Sequence, residues 1–189
     1  APSDLMPLTE GQTWTYDFVQ EVAPGATLSD SDLKPEADGK LHATVTVTAG
    51  KREADGMHVT FMRNATPVTE EWWTLSDKGL SASRRSVGGE QVVLDPPQVL
   101  VALPSDGYMD WEYKAADGSF SQRYREWCLN VNAAPGIPAG MLVVTEQDLQ
   151  PGVRVVAERH WIPGRGLVRE VITTTLAGHL LSRQTMRLR

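Results

Sequence analysis

Leu41-His42-Ala43-Thr44-Val45-Thr46-Val47-Thr48 is the stretch on which the fold turns. Leu, Ala and two Val fall on one face, His and three Thr on the other. That period of two is the mark of a β-strand, whose successive side chains point to opposite sides. The alternation continues with Met57, Val59 and Phe61 against His58, Thr60 and Met62, and returns over 72–75, 80–87, 111–114, 120–131, 141–147, 153–161, 167–175 and 180–188. Turn-forming pairs separate these runs, among them Asp55-Gly56, Gly88-Gly89, Asp117-Gly118, Pro151-Gly152, Pro163-Gly164 and Ala177-Gly178. With the opening strand around Trp14, about eleven strands joined by hairpin-like connections predict an all-β antiparallel fold: a curved sheet, partly open barrel or sandwich. Helix signals are confined to one turn within Ser29–Ala37 and to Asp95-Pro96-Pro97-Gln98-Val99-Leu100-Val101, where a proline near the first position suits a short helix.

Composition sets the outer limits. The chain has 189 residues, enough for one sizeable core, with 18 basic and 24 acidic side chains and a net charge of −6. An acidic chain lacks the basic surface that phosphate neutralisation needs, so no nucleic-acid partner is expected. The longest aliphatic run, Val99 to Leu103, is far short of the roughly 20 residues of a membrane-spanning helix. A single cysteine, Cys128, excludes an intrachain disulfide and a cysteine-rich metal site. Ala1-Pro2-Ser3-Asp4 reads as the first residues of a mature exported chain, so a periplasmic or extracellular location is expected.

Comparing the chain with itself reveals three matched blocks in the same order. Pro7-x6-Trp14-x-Tyr16 matches Pro104-x6-Trp111-x-Tyr113, and Val45-x-Val47-x8-Gly56-Met57-x-Val59 matches Leu129-x-Val131-x8-Gly140-Met141-x-Val143. Glu70-x2-Trp73 with Gly79-Leu80 matches Glu158-x2-Trp161 with Gly166-Leu167. The offsets of 97, 84, 88 and 87 are those that loop insertions and deletions leave behind. We expect a duplication, with repeats over about 5–90 and 100–188, each too small to close a core alone. The two would then form one domain over 1–189 with approximate twofold symmetry.

The blocks also contain Pro7-Leu8-x2-Gly11-x2-Trp14-x-Tyr16, Pro138-Ala139-Gly140-x3-Val144 and Trp161-x4-Gly166-Leu167-Val168. This pattern resembles exported bacterial β-rich envelope proteins and lipoproteins of unknown function. In size and strand count the chain is distantly similar to periplasmic lipoprotein carriers, whose curved sheet wraps an apolar cavity. That likeness implies a cavity for an apolar ligand, carries over no functional residue, and departs from the carriers in lacking their long helices.

Catalytic constellations are missing from the sequence. His42, His58, His160 and His179 show no zinc-binding spacing, although His42 and His58 on neighbouring strands could share a site. There is no Gly-x-Ser-x-Gly elbow, phosphate loop or dinucleotide fingerprint. Asp30-Ser31-Asp32 lacks the glycine and distal glutamate of a calcium loop. Glu70, Glu71, Glu126 and Glu158 stand near tryptophans and are the candidates for paired-carboxylate chemistry.

Four of the six tryptophans occupy repeated positions and are assigned to the framework, which leaves Trp72 and Trp127. Trp72 faces opposite to Trp73, so it belongs either to an exposed aromatic surface or to the second core of a sandwich. Val99, Leu100 and Val101 lie in the apolar segment joining the halves, which reads as a buried crossover or as a flap over an apolar pocket. The expected ligand-binding residues are therefore Trp72, Trp127, Val99, Leu100 and Val101. The expected function is a non-enzymatic envelope or secreted binding or assembly module for an apolar small molecule or an envelope protein, without cofactor or metal. The alternative is a hydrolase with an unfamiliar carboxylate site at Glu70, Glu71 or Glu158.

Overall fold

Alternating strands separated by tight turns pair with their sequence neighbours, because a two-residue turn places the next strand directly alongside. The computed structural model describes residues 6–26, 33–102, 107–129 and 140–189. Twelve strands follow one another: β1 (Thr13–Val22), β2 (Leu41–Glu53), β3 (Gly56–Arg63), β4 (Thr66–Ser76), β5 (Gly79–Val87), β6 (Glu90–Ala102), β7 (Tyr108–Lys114), β8 (Ser121–Leu129), β9 (Gly140–Gln150), β10 (Val153–Ile162), β11 (Gly166–Leu176) and β12 (His179–Leu188). All lie in one antiparallel sheet, in the order β6-β5-β4-β3-β2-β1-β12-β11-β10-β9-β8-β7. It is a curved sheet nearly closed into a barrel, and among the described residues no second sheet packs on it.

The twelfth strand is β6, which the sequence reading treats as a crossover with a candidate helix at Asp95–Val101. Pro96 and Pro97 prompted that expectation. A proline is also tolerated on the edge of a sheet, where its missing N–H faces no partner strand, and β6 is an edge. No helix occurs among the described residues. Of the candidate turn at Ser29–Ala37, the part up to Asp32 and the Asp30-Ser31-Asp32 loop lie outside the described residues, while Leu33–Glu36 is irregular.

The barrel closes between β1 and β12, from Tyr16 opposite Leu188 to Val22 opposite Ser182. It remains unsealed between β6 and β7, whose backbones do not pair. Side chains cross this seam instead. The Glu126 carboxylate accepts from the Ala102 N–H at 3.0 Å, Tyr113 donates its hydroxyl to the Pro96 carbonyl at 2.9 Å, and Gln98 reaches Gln122 and Tyr124. One backbone bond, Ala116 N–H to the Asp95 carbonyl at 2.9 Å, adds to them.

Apolar residues from the inward faces of eight strands fill one end of the lumen: Trp14, Val47, Val59, Trp73, Leu80, Val101, Val143 and Trp161 are all buried. Met6 caps this end, lying against Gly166 at the start of β11. The outward face carries Asp17, Glu158, Arg154 and Arg187, all exposed, the reverse of a transmembrane barrel with its apolar outer band. Among the described residues no helix is long and apolar enough to cross a membrane.

The matched sequence blocks fall at corresponding places. Trp14 and Tyr16 lie in β1 and Trp111 and Tyr113 in β7; Gly56 opens β3 and Gly140 opens β9; Trp73 lies in β4 and Trp161 in β10. Pro104, Val131, Pro138 and Ala139 lie outside the described residues. At Gly56 a Cβ would stand 2.7 Å from the Trp73 carbonyl oxygen, and at Gly140 2.1 Å from that of Trp161. The same glycine meets the same tryptophan backbone twice, at a separation that admits no side chain.

Asn64-Ala65, which joins β3 to β4, is a turn the sequence reading passes over. Both residues have positive φ, 47° and 66°, as a type I′ hairpin requires. The Asn64 side chain secures it by accepting from the Thr44 N–H at 2.9 Å.

Candidate functional site

Toward the end of the barrel opposite Met6, the lumen is hollow. A cavity of about 400 Å³ opens there, within the range of small-molecule sites. Its two sides differ in chemistry. Phe18, Val45, Phe61 and Met186, from β1, β2, β3 and β12, make an apolar wall, and Trp73, Trp161 and Leu167 form more apolar lining toward the filled core. Facing them, Glu71, Arg85, Gln98, Gln122, Tyr124, Arg159 and Glu170 make a polar wall on the strands that flank the seam and their neighbours.

Two cross-strand ion pairs anchor the polar wall. Glu71 on β4 stands directly opposite Arg85 on β5, with Arg85 Nε donating to Glu71 Oε1 at 2.6 Å. Arg159 on β10 stands directly opposite Glu170 on β11, with Nε donating to Glu170 Oε2 at 2.5 Å. Glu71 and Arg159 each precede a repeated tryptophan by two residues, so the pairs occupy matching places with their signs reversed. The second Glu71 oxygen accepts from Trp73 Nε1 at 2.6 Å. Arg85 also donates to Gln98 Oε1 at 3.1 Å, and Gln98 Nε2 donates to Gln122 Oε1 and to the Tyr124 hydroxyl, both at 2.6 Å. Gln122 then donates to Gln147 at 2.8 Å, extending the network away from the cavity.

Burial shapes the proton affinities of this wall. Withdrawal from water raises Tyr124 above the ordinary tyrosine range against the opposing charges of Arg159 and Arg85, and it raises Tyr16 as well, with help from the Glu170 carboxylate. Tyr16 accordingly stays neutral and donates to the Leu167 carbonyl at 2.8 Å. For Arg159 burial acts the other way, yet the Glu170 charge and hydrogen bond outweigh it and hold the guanidinium above its usual range. Ion pairs enclosed like this gain little over a well-packed apolar filling, because desolvation offsets most of the attraction. Their presence in a lumen otherwise suited to Leu and Val is therefore poorly explained by stability.

No family model, curated protein or solved structure matches this chain.

Of the expected binding residues, Leu100 lines the cavity. Its neighbour Val101 is fully buried in the core, and Val99 is half-buried outside the lining. Trp72 is on the outward face of β4, yet buried: His58 stacks on one side at 4.7 Å, the Arg84 guanidinium covers the ring at 3.7 Å, and Nε1 donates to Glu53 at 2.9 Å. It is neither an exposed platform nor part of a second core. Trp127 is half-buried on the outward face between Tyr108 and Arg125.

The carboxylates do not converge as one group. Glu70 and Glu158 face outward, Glu71 lines the cavity, and Glu126 is buried at the seam. His42 bonds to Asp38 at 2.8 Å, while His58 lies beside Gly50, eight residues further along β2 and so roughly 26 Å away at ~3.3 Å per strand residue. Among the described residues no group of His, Cys, Asp or Glu could hold a metal ion.

Sequence reasoning missed Arg85, Gln98, Gln122, Tyr124, Arg159 and Glu170. A signal was present in the period of two. Residues two before a core tryptophan share its face, so Glu71 and Arg159 must point inward with Trp73 and Trp161, whereas Glu70 and Glu158, three before, must point out.

Proposed function

We propose that this chain is a non-enzymatic binding module that takes a small, largely apolar molecule into its barrel lumen. The observation that supports this is the cavity of about 400 Å³, walled by aromatic and aliphatic side chains on one side and by a preformed hydrogen-bonded wall on the other. Taking a loosely packed heavy atom at roughly the ~30 Å³ of a liquid water molecule, such a space suits about a dozen ligand atoms. Trp73 and Trp161 line it, so occupancy should change the intrinsic fluorescence. Calorimetry and native mass spectrometry against a panel of lipids and apolar small molecules test the reading. Protein that stays empty throughout, with unaltered fluorescence, rejects it.

The matched positions of Gly56 and Gly140 against the tryptophan carbonyls support a duplicated origin for the two halves. A periplasmic or extracellular location belongs to the same reading and rests on the sequence blocks; cell fractionation of the native host with an antibody to the chain tests it.

An envelope-protein partner is supported by a separate observation. Leu149, Leu176 and Leu180 are exposed at the ends of two hairpins that touch through the Ala177 N–H and the Gly152 carbonyl. Replacing the three by Ser should abolish co-purification of an envelope partner while leaving lumen occupancy intact, and unchanged co-purification rejects this arm.

A further inference from the structure

The polar wall is asymmetric in what it leaves unused. A guanidinium has five N–H groups. Arg85 spends two, on Glu71 and Gln98, and Arg159 spends two, on Glu170 and Thr145, so each retains three without an acceptor among the described residues. The neutral hydrogen-bonding groups between them are largely satisfied by one another: Gln98, Gln122 and the Tyr124 hydroxyl form a closed set, with Tyr124 donating to Gln122 Oε1 at 2.9 Å. What faces the cavity unspent is mainly donor.

Arg85 and Arg159 both line the cavity, and a guanidinium in a partly desolvated space favours an anion far more than the same charge would on an open surface. The carboxylates already present hold the guanidinium groups in place through one edge each, which orients the remaining edges without consuming them. Across the lumen Phe18, Val45, Phe61 and Met186 are apolar, with Arg63 and Gln184 also in the lining, so a ligand seated against the two guanidinium groups has one polar end and a largely apolar body.

We propose that the lumen is a site for a small amphipathic carboxylate, its carboxylate held by the free edges of Arg85 and Arg159 and its apolar body lying along the β1, β2, β3 and β12 wall. This rests on the reading of the lumen as a ligand site and names the class of ligand. Fourteen heavy atoms make dodecanoate a suitable probe, with dodecanol and dodecylamine as neutral and cationic counterparts of the same chain.

The decisive measurement is titration calorimetry of the unaltered protein with these three probes at neutral pH. Dodecanoate should bind at least about tenfold more tightly than dodecanol, as charge-assisted hydrogen bonds at a partly buried site imply, and dodecylamine more weakly than either. The dodecanoate advantage should vanish as pH falls below about 4 to 5, where a carboxylate protonates, while dodecanol binding holds. Arg85→Gln and Arg159→Gln should each erase most of the advantage, bringing dodecanoate affinity toward that of dodecanol, with circular dichroism verifying the fold; if either variant fails to fold, the pH series on the unaltered chain decides. Equal affinity for the acid and the alcohol, or preference for the amine, overturns the carboxylate assignment and leaves the lumen reading standing. No binding by any of the three, with tryptophan fluorescence unchanged, counts against both.

Discussion

The barrel has two places where its first and second halves meet, and they are made differently. Between β12 and β1 the backbones pair from Tyr16 to Val22. Between β6 and β7 they do not pair, and the gap is spanned by Glu126, Tyr113, Gln98, Gln122 and Tyr124. Pro96 and Pro97 supply part of the reason, since neither has an N–H to offer a neighbouring strand. Strand groups left without a ladder still need partners when buried, and Glu126 and Tyr113 serve two of them, the Ala102 N–H and the Pro96 carbonyl. Gln98, Gln122 and Tyr124 bridge the seam and also form part of the cavity's polar wall. The unsealed junction and the polar half of the site thus share Gln98, Gln122 and Tyr124, while the two ion pairs lie off the seam, and the sealed junction contributes to the apolar half through Phe18 and Met186.

The sealed junction should be the less tolerant of backbone damage. Val19 pairs with His42 on one side and Thr185 on the other, so Val19→Pro breaks a ladder bond whichever way its N–H points. We expect a loss of about 3 kcal/mol or more in urea denaturation. A loss below about 1 kcal/mol would show that the β12 and β1 pairing is not what closes the barrel. Gly140→Ala should cost a similar amount, because its Cβ would lie 2.1 Å from a backbone oxygen that can move only with β10. Gly56→Ala should behave alike if the halves are equivalent here, and a neutral Gly56→Ala beside a damaging Gly140→Ala would break that equivalence.

At the seam the effects should be smaller and chemical. Tyr124→Phe removes a hydroxyl that both accepts from Gln98 and donates to Gln122, and should cost about 1 to 2 kcal/mol by leaving buried amides short of a partner. Burial also raises Tyr16 and Tyr124 above the unfolded tyrosine value of about 10. The unfolded chain then loses these protons first, so their contribution is full below pH ~10 and falls as pH rises beyond it. Urea midpoints taken from pH 8 to 11 should decline above 10, less steeply in Tyr16→Phe; an identical decline in that variant removes Tyr16 as a cause.

Much of the fold is legible because strand pairing is local. Each of the ten hairpins joins sequence neighbours, so alternation and turn residues suffice to order the sheet. β6 escaped because Pro96 and Pro97 are strand breakers in a central strand but acceptable on an edge, and edge or centre is decided only once the sheet closes. Trp72 escaped for a related reason. Its outward direction is readable from Trp73, but its burial depends on His58 and Arg84 arriving from strands on both sides, a pairing register that alternation does not specify. The site was legible only in part. Arg159 reads as inward from Trp161, yet its opposition to Glu170, and that pair's likeness to Glu71 and Arg85, depends on a bulge at His160 and Trp161 that shifts the register by one residue.

The smallest expected effect is the sharpest test of why the seam stays open. Pro97 is exposed on the β6 edge, so Pro97→Ala removes no packed side chain and restores one N–H. If the prolines merely accompany a seam already held by side chains, stability should change by no more than about 0.5 kcal/mol, the usual range for an exposed position. Hydrogen exchange read at Tyr108–Lys114 should then be unaltered, since one new donor cannot create a ladder across a gap set by Gln98, Tyr113 and Glu126. New protection along β7, with a gain in stability, would instead mean that β6 and β7 can zip together once the donor is supplied. The two junctions would then differ by a proline substitution alone, and the polar wall should lose the Gln98 contacts that the open seam now requires.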